Sequence, residues 1–230
     1  MDTNIAGMMS TEDNPMLSSP IAALSPEAFR DLCASIMIMM PRQANVDGGL
    51  LQLWALWGRM GIVVGDCLDS HGGFIEIQRG NIERQFLQYC ETHQEIKYLV
   101  MVDSDEQFCW DAPMRLAQWG LPIVSGVVPG YSPQRGIFAC FMDYDENGVA
   151  RFPTFAHNNF MPERGIKKIH AAGAGLISVR KDVLETILNA GELPFMVPEE
   201  MRKESYRRGY VLQGEDMSFC QRAREPKPRD

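Results

Sequence analysis

The sequence predicts an α/β domain with a mostly parallel, mixed central sheet flanked by helices, and a β-hairpin in its second half. Three observations carry that prediction. Short apolar runs alternate with amphipathic stretches through the first half, as βαβ units do. Asn147-Gly148 sits between two β-prone runs, a strong hairpin signal. The chain has 230 residues, 45% of them hydrophobic and 23% charged, enough to fold around one core without disulfide or metal staples.

In chain order, residues 1–26 are polar, rich in Ser, Asn and Pro, and read as a flexible arm. Ser25 is an N-cap and Pro26 a first helical residue, which starts a short helix ending near Leu32. The continuous apolar run 36–40, ended by Pro41, reads as a strand buried on both faces. Residues 48–61, with Leu50, Leu51, Leu53, Trp54, Leu56 and Trp57, read as a largely buried helix closed by Gly58 or Gly61. Residues 62–64 are a second strand and 77–92 a helix with Ile82, Phe86 and Tyr89 on one face. Residues 97–102 are a third strand that runs directly into Asp103-Ser104-Asp105. A helix over 111–119 takes Asp111 as N-cap, and 122–128 is a fourth strand. The hairpin pairs 137–144 with 149–152, and 154–164 is loop. A strand over 166–179 is interrupted by Gly173 and Gly175, and a helix over 181–190 closes at Gly191. Residues 192–210 read as a mobile, charged loop, and 214–225 as a last helix with Glu215 and Asp216 in its first turn. The domain therefore spans 27–225, with 226–230 a charged, proline-broken tail.

Charge and cysteine content narrow the function classes. Lys plus Arg number 22 and Asp plus Glu 30, a net charge of −8. That argues against a broad basic surface that coats nucleic acid. The six cysteines show no CxxC spacing and no zinc-site pattern with histidine, so buried thiols in a reducing compartment are expected. The N-terminus lacks the basic-then-apolar pattern of a secretory signal, and no apolar run approaches the roughly 20 residues a membrane span needs. A cytoplasmic protein without a membrane span is the expectation.

The chemistry concentrates at Asp103-Ser104-Asp105. Ligands of open α/β sheets bind at the carboxyl ends of strands, and the third strand ends here. In an extended Asp-x-Asp segment alternate side chains point the same way, so two carboxylates converge on one divalent cation. Hard oxygen ligands suit Mg2+ or Mn2+, which neutralises a leaving diphosphate.

With the strand that precedes it, Lys97-Tyr98-Leu99-Val100-Met101-Val102-Asp103-Ser104-Asp105 resembles the DxD motif of nucleotide-sugar glycosyltransferases of the GT-A fold, and more narrowly those of the small phage type. Three more segments resemble that group in the expected order: Arg79-Gly80-Asn81 at a helix start, the run from Ala172-Gly173-Ala174-Gly175 to Leu184, and Gly214-Glu215-Asp216 opening the last helix. Together they cover residues 34 to 225. The resemblance implies a single GT-A-like, Rossmann-like domain and a transferase that moves a sugar from a UDP- or GDP-linked donor to a hydroxyl acceptor, a modified DNA base or a glycan. It implies Mn2+ or Mg2+ as cofactor, with Asp105 the main ligand and Asp103 sharing the metal or contacting ribose. Pro41 and Arg42 would border the nucleotide together with Ser104, and Arg79 and Asn81 would hold diphosphate or ribose. Gly173 and Gly175 would admit the sugar or acceptor where a Cβ would intrude. Asp216, or Glu215, would deprotonate the acceptor in an inverting reaction.

The sequence departs from the group in three respects. Gly80 separates Arg79 from Asn81, the first strand ends in Pro41-Arg42-Gln43, whose contacts do not match the group's closely, and no histidine follows Asp216 where the group's last metal ligand would lie. A binding module that keeps the nucleotide-sugar site without turnover is the alternative that this last departure raises. A nucleotidyltransferase has less support, because no Gly-rich phosphate loop follows the first strand. His71, His93, His157 and His170 are isolated, and the methionines of the first strand and the Trp54/Trp57 pair read as core. Arg202-Lys203 and Arg207-Arg208 form the densest basic stretch, read as a solvated loop or an anion-facing lid.

Overall fold

The computed structural model describes residues 24–42, 46, 48–68, 75–106, 108–132, 136–139, 141–144, 150–151, 166, 168–208 and 214–224. Along the chain these form α1 (Pro26–Ala34), β1 (Ile36–Arg42), α2 (Gly48–Arg59), β2 (Val63–Leu68), α3 (Ile75–Thr92), β3 (Tyr98–Val102), α4 (Ala112–Gln118) and β4 (Ile123–Ser125). Next come β5 (Pro129–Ser132), β6 (Gly136–Ala139), β7 (Phe141–Tyr144), β8 (Ala150–Arg151), β9 (Ala171–Ala172), β10 (Leu176–Arg180), α5 (Lys181–Asn189), α6 (Glu199–Arg208) and α7 (Glu215–Arg224).

A five-stranded sheet in the order β2-β1-β3-β10-β4 forms the centre. β1 runs parallel to β2 and β3, while β10 is antiparallel to both β3 and β4, so four of the five strands point one way. This is the mixed, mostly parallel sheet the alternation of strands and helices predicts. The apolar runs are continuous because both faces are covered. Along β1, Met37 and Met39 join a core with α3, α5 and α7. The intervening Ile36, Ile38 and Met40 join a second core with α1, α2 and α4. The period of two along the strand thus divides one run between two helical layers.

The chain order sets the switch point of the sheet. From β1 the chain goes through α2 to β2 on one side, then back through α3 to β3 on the other. α2 and α3 pack on opposite faces, so the carboxyl ends of β1 and β3 flank a topological switch point, the place where open α/β sheets form a crevice.

Several elements match the sequence reading closely. Ser25 caps α1, its hydroxyl accepting from Ala28 N–H at 3.2 Å. Gly61 and Gly191, at φ 83° and 84°, follow α2 and α5 in the left-handed conformation that favours glycine. Of the expected hairpin, β7 and β8 pair antiparallel, with the turn that joins them outside the described residues, but 136–139 form the separate strand β6, which pairs with β5 instead. The arm up to residue 23, the loop 154–164 and the tail 226–230 also lie outside the described residues.

Other expectations are corrected. β1 does not stop at Pro41 but runs to Arg42 beside β2. Its pairing with β3 ends at Met39, so Pro41, which lacks an N–H, lies past that ladder and is tolerated. β2 extends to Leu68 and β4 is only three residues long. α2 buries Leu50 and Trp57 but leaves Leu51 exposed, so it is a surface helix rather than a largely buried one. Asp111 occupies the cap position of α4 without a side-chain cap; its carboxylate is taken instead by Arg115, one turn on, at 2.7 Å. The interrupted strand over 166–179 is two strands in different sheets, β9 on β7 and β10 in the central sheet. Within the expected loop 192–210 lies α6, whose Lys203–Glu199 and Arg207–Glu204 pairs link side chains about one turn apart.

Of the described cysteines, Cys33, Cys67, Cys90 and Cys220 are buried free thiols and Cys109 is exposed. Burial pushes the thiols of Cys33, Cys90 and Cys220 above their ordinary range. No described helix is long and apolar enough to cross a membrane.

Candidate active site

β3 carries four fully buried apolar residues and ends at Val102. Beyond Val102 the chain turns, instead of continuing as the extended segment expected: Glu106 N–H reaches back to Asp103 C=O at 3.4 Å. In this turn Ser104 is buried, Asp103 half-buried and Asp105 exposed. Asp103 is anchored through its backbone as well, its N–H donating to Gly175 C=O at 2.9 Å.

Arg79 organises the site. It lies on the sheet-facing side of α3 and is only 3% exposed. Its Nη2 donates to both oxygens of Asp103, at 3.0 and 3.3 Å. Its Nη1 donates to Glu215 Oε1. One guanidinium thus joins the end of β3 to the first turn of α7, across 24 residues in one direction and 136 in the other. The Arg79 Nε is buried and has no hydrogen-bond partner among the described residues.

Three carboxyl groups, Asp103, Glu215 and Asp216, feel this cation directly. Burial pushes the Asp103 carboxyl up, Arg79 opposes the shift, and the charges of Asp105 and Glu215 add to it. Burial likewise raises Glu215 and Asp216 against the pull of Arg79. Glu106 is raised by burial and by the charges of Asp105 and Asp103. These groups feel one another, and their protons bind in a coupled way. Asp216 Oδ1 accepts from Met217 N–H at 2.7 Å, which leaves its other oxygen outside that bond. Glu215, by contrast, is held by Arg79.

The glycine-rich segment enters at the same edge, because β10 begins where β3 ends: Leu176 pairs with Val102. A Cβ on Gly175 would lie 3.3 Å from Val128 and 3.4 Å from Asp103 Oδ2, so the backbone passes close beneath the carboxylate. Ser125, at the carboxyl end of β4, places its hydroxyl 3.0 Å from both Gly173 C=O and Gly126 C=O and 3.2 Å from Leu176 C=O.

Of the residues singled out from sequence, Arg79, Asp103, Gly175, Glu215 and Asp216 come together, and Asp105 adjoins them on the exposed side of the turn. Pro41 lies at the end of β1, across the switch point from β3. Arg42 closes the same strand. Asn81 is not brought to the cluster. It lies about 200° around the helix from Arg79 and accepts from Arg84 at 3.3 Å on the exposed side of α3. Gly80 is what sets that angle. Sequence reasoning missed Glu106 and Ser125. Each carried a signal: Glu106 adjoins the Asp-x-Asp, and Ser125 ends a strand of the parallel set.

Among the described residues no three His, Cys, Asp or Glu side chains form a cluster that could hold a metal ion by themselves. In this arrangement Asp103 is engaged by Arg79 and Asp105 is exposed. Mg2+ is ordinarily held by one or two carboxylates, with phosphate oxygens and water completing the shell. Asp105 and Asp103 offer two carboxylates of that hard-oxygen type.

No protein-family model matches the chain, and no curated protein matches it.

An ion pair ties α6 to the start of α3. Arg202 pairs with Glu76 in the first turn of α3, and the Glu76 charge is felt by Glu215. The basic residues 202, 203 and 207 are each paired with a carboxylate, so none stands as an isolated anion-facing charge.

Proposed function

We propose that the chain is a metal-dependent glycosyltransferase that moves a sugar from a UDP- or GDP-linked donor to a hydroxyl acceptor, a modified DNA base or a glycan. The observation that supports this reading best is the Arg79 junction. Arg79, Asp103 and Glu215, from three segments chosen from sequence for one chemistry, meet at the carboxyl edge of the sheet beside its switch point.

Each residue has a role in this reading. Asp105 and Asp103 hold Mn2+ or Mg2+, whose charge offsets that of the departing diphosphate. Arg79 offers the diphosphate a planar cation. Pro41 and Arg42 border the nucleotide at the end of β1. Gly173 admits the sugar, while the space beside Gly175 is taken by Val128 and Asp103. Asp216 accepts the acceptor proton, because its raised affinity for protons suits a general base and its carboxylate is not taken by Arg79. Glu215 positions Arg79 rather than acting as the base.

The test is incubation with UDP- and GDP-linked sugars and Mn2+, read by nucleoside diphosphate release and by thermal shift. A donor is expected to raise the melting temperature only with metal, and Asp105→Ala to abolish both signals without unfolding the chain. Nucleotide binding without hydrolysis or transfer assigns a non-catalytic binding module instead. An intact fold with no nucleotide effect removes the reading.

A further inference from the structure

We infer that Arg79 makes cation binding and diphosphate binding depend on each other, by holding Asp103 until an anion takes its place. The inference rests on the glycosyltransferase reading and concerns the order in which that site fills.

Arg79 Nη2 lies in the mouth of the Asp103 carboxylate, within 3.0 and 3.3 Å of its two oxygens. That is where a divalent cation chelated by Asp103 would sit. The arginine side chain is 4% exposed, so water does little to screen it. A cation approaching alone therefore meets a fixed positive charge on one of its two proposed ligands. It is left with Asp105, on the exposed side of the turn.

A diphosphate changes the balance. Its oxygens accept from a guanidinium in the same forked geometry as a carboxylate. Arg79 keeps one unsatisfied donor, its buried Nε, which lacks a partner among the described residues and which a diphosphate reaches only once Asp103 moves aside. Glu215 keeps Nη1 anchored, so only the Asp103 side of the fork has to let go. Arg79 then faces the diphosphate, and Asp103 turns its charge to the cation. Each ligand removes the obstacle to the other, and by linkage the two affinities rise by the same factor. The cation stays off the site until a donor brings it.

The experiment is titration of the full chain with Mn2+, followed by the free-ion electron paramagnetic resonance signal, without nucleotide and with UDP or GDP. Arg79→Gln is expected to bind Mn2+ alone about tenfold more tightly than the native chain. With Mn2+ saturating, the same variant is expected to bind UDP or GDP about tenfold more weakly. Arg202→Gln removes one positive charge at Glu76 and is expected to leave the Mn2+ affinity unchanged. Removing Arg79 leaves Asp103 and Glu215 uncompensated, so near-ultraviolet circular dichroism checks the fold. If that variant does not fold, Arg79→Lys replaces it, because a single ammonium cannot span both carboxylates with the same fork. A smaller rise in Mn2+ affinity is then expected. Mn2+ affinity that does not rise in the folded Arg79 variant, or that rises equally in Arg202→Gln, overturns the inference. A native chain that binds neither UDP nor GDP with Mn2+ undoes the glycosyltransferase reading instead, and the Mn2+-alone comparison still reports on the Arg79–Asp103 contact.

Discussion

A Cβ built on Gly214 would lie 2.7 Å from Asp216 Oδ1, so any side chain at 214 displaces that carboxylate. The glycine is there for its neighbour two residues on, and the Gly-Glu-Asp order has a steric cause. Under the proposed glycosyltransferase reading, Gly214→Ala is therefore expected to slow transfer by about tenfold or more, as small misplacements of a reacting group do. The melting temperature should move by only a few degrees. A steady-state assay beside a thermal scan separates the two, and an unchanged rate would show that Asp216 is not the base. Gly175 follows the same logic from below, since its carbonyl accepts the Asp103 N–H and its missing Cβ leaves room for the Asp103 carboxylate.

At the scale of elements, α7 positions the acidic pair, and what holds α7 is apolar. Phe219 is fully buried and stacks on Phe195 with ring centroids 4.4 Å apart and planes 16° from parallel. Cys220 lies on the same inner face, its thiol directed to Ala172 C=O at 3.8 Å. Phe219→Ala is expected to cost about 3–5 kcal/mol, measured by urea unfolding, and to loosen the Arg79–Glu215 contact with it. The elements that are readable in the sequence are those with a local cause. Ser25-Pro26 starts α1, Gly61 and Gly191 end helices, and the run 36–40 is apolar throughout because both its faces are covered. What sequence could not disclose depends on distant partners. Asp111 looks like a cap but pairs with Arg115. α6 carries charged residues almost throughout, so its pattern reads as loop, and Arg202 docks it on Glu76 of α3. The site divides in the same way. Asp103 and Asp105 are legible because they are adjacent to a strand end, whereas the Arg79–Glu215 pair joins residues 136 apart and emerges only in three dimensions.

For the molecule as a whole, one buried carboxyl tilts the dependence of stability on pH. Glu83, on the sheet-facing side of α3, is only 4% exposed, and burial raises its pKa from 4.5 to about 8 against a small opposing pull from Arg84. The unfolded chain releases this proton near pH 4.5, while the folded chain keeps it to about pH 8. Between those values folding takes up a proton, so this group makes stability fall as pH rises, by an amount on the order of a few kcal/mol. Glu83→Gln keeps the shape without the charge. Denaturant unfolding is expected to show it equal to the native chain near pH 4.5 and more stable at pH 8, and equal gains at both would contradict the assignment. The central sheet carries a different consequence, for how the chain is made. β10 lies between β3 and β4 although some 50 residues separate it from β4 in sequence, and among the described residues β4 pairs with no other strand of that sheet. During synthesis β3 must wait with an open edge, and β4 without a partner, until residues 176–180 emerge and complete both ladders at once. Such a delay favours slow folding and edge-to-edge association of nascent chains. The strand that brings Gly173 and Gly175 to the site is thus also the keystone whose late arrival closes the sheet.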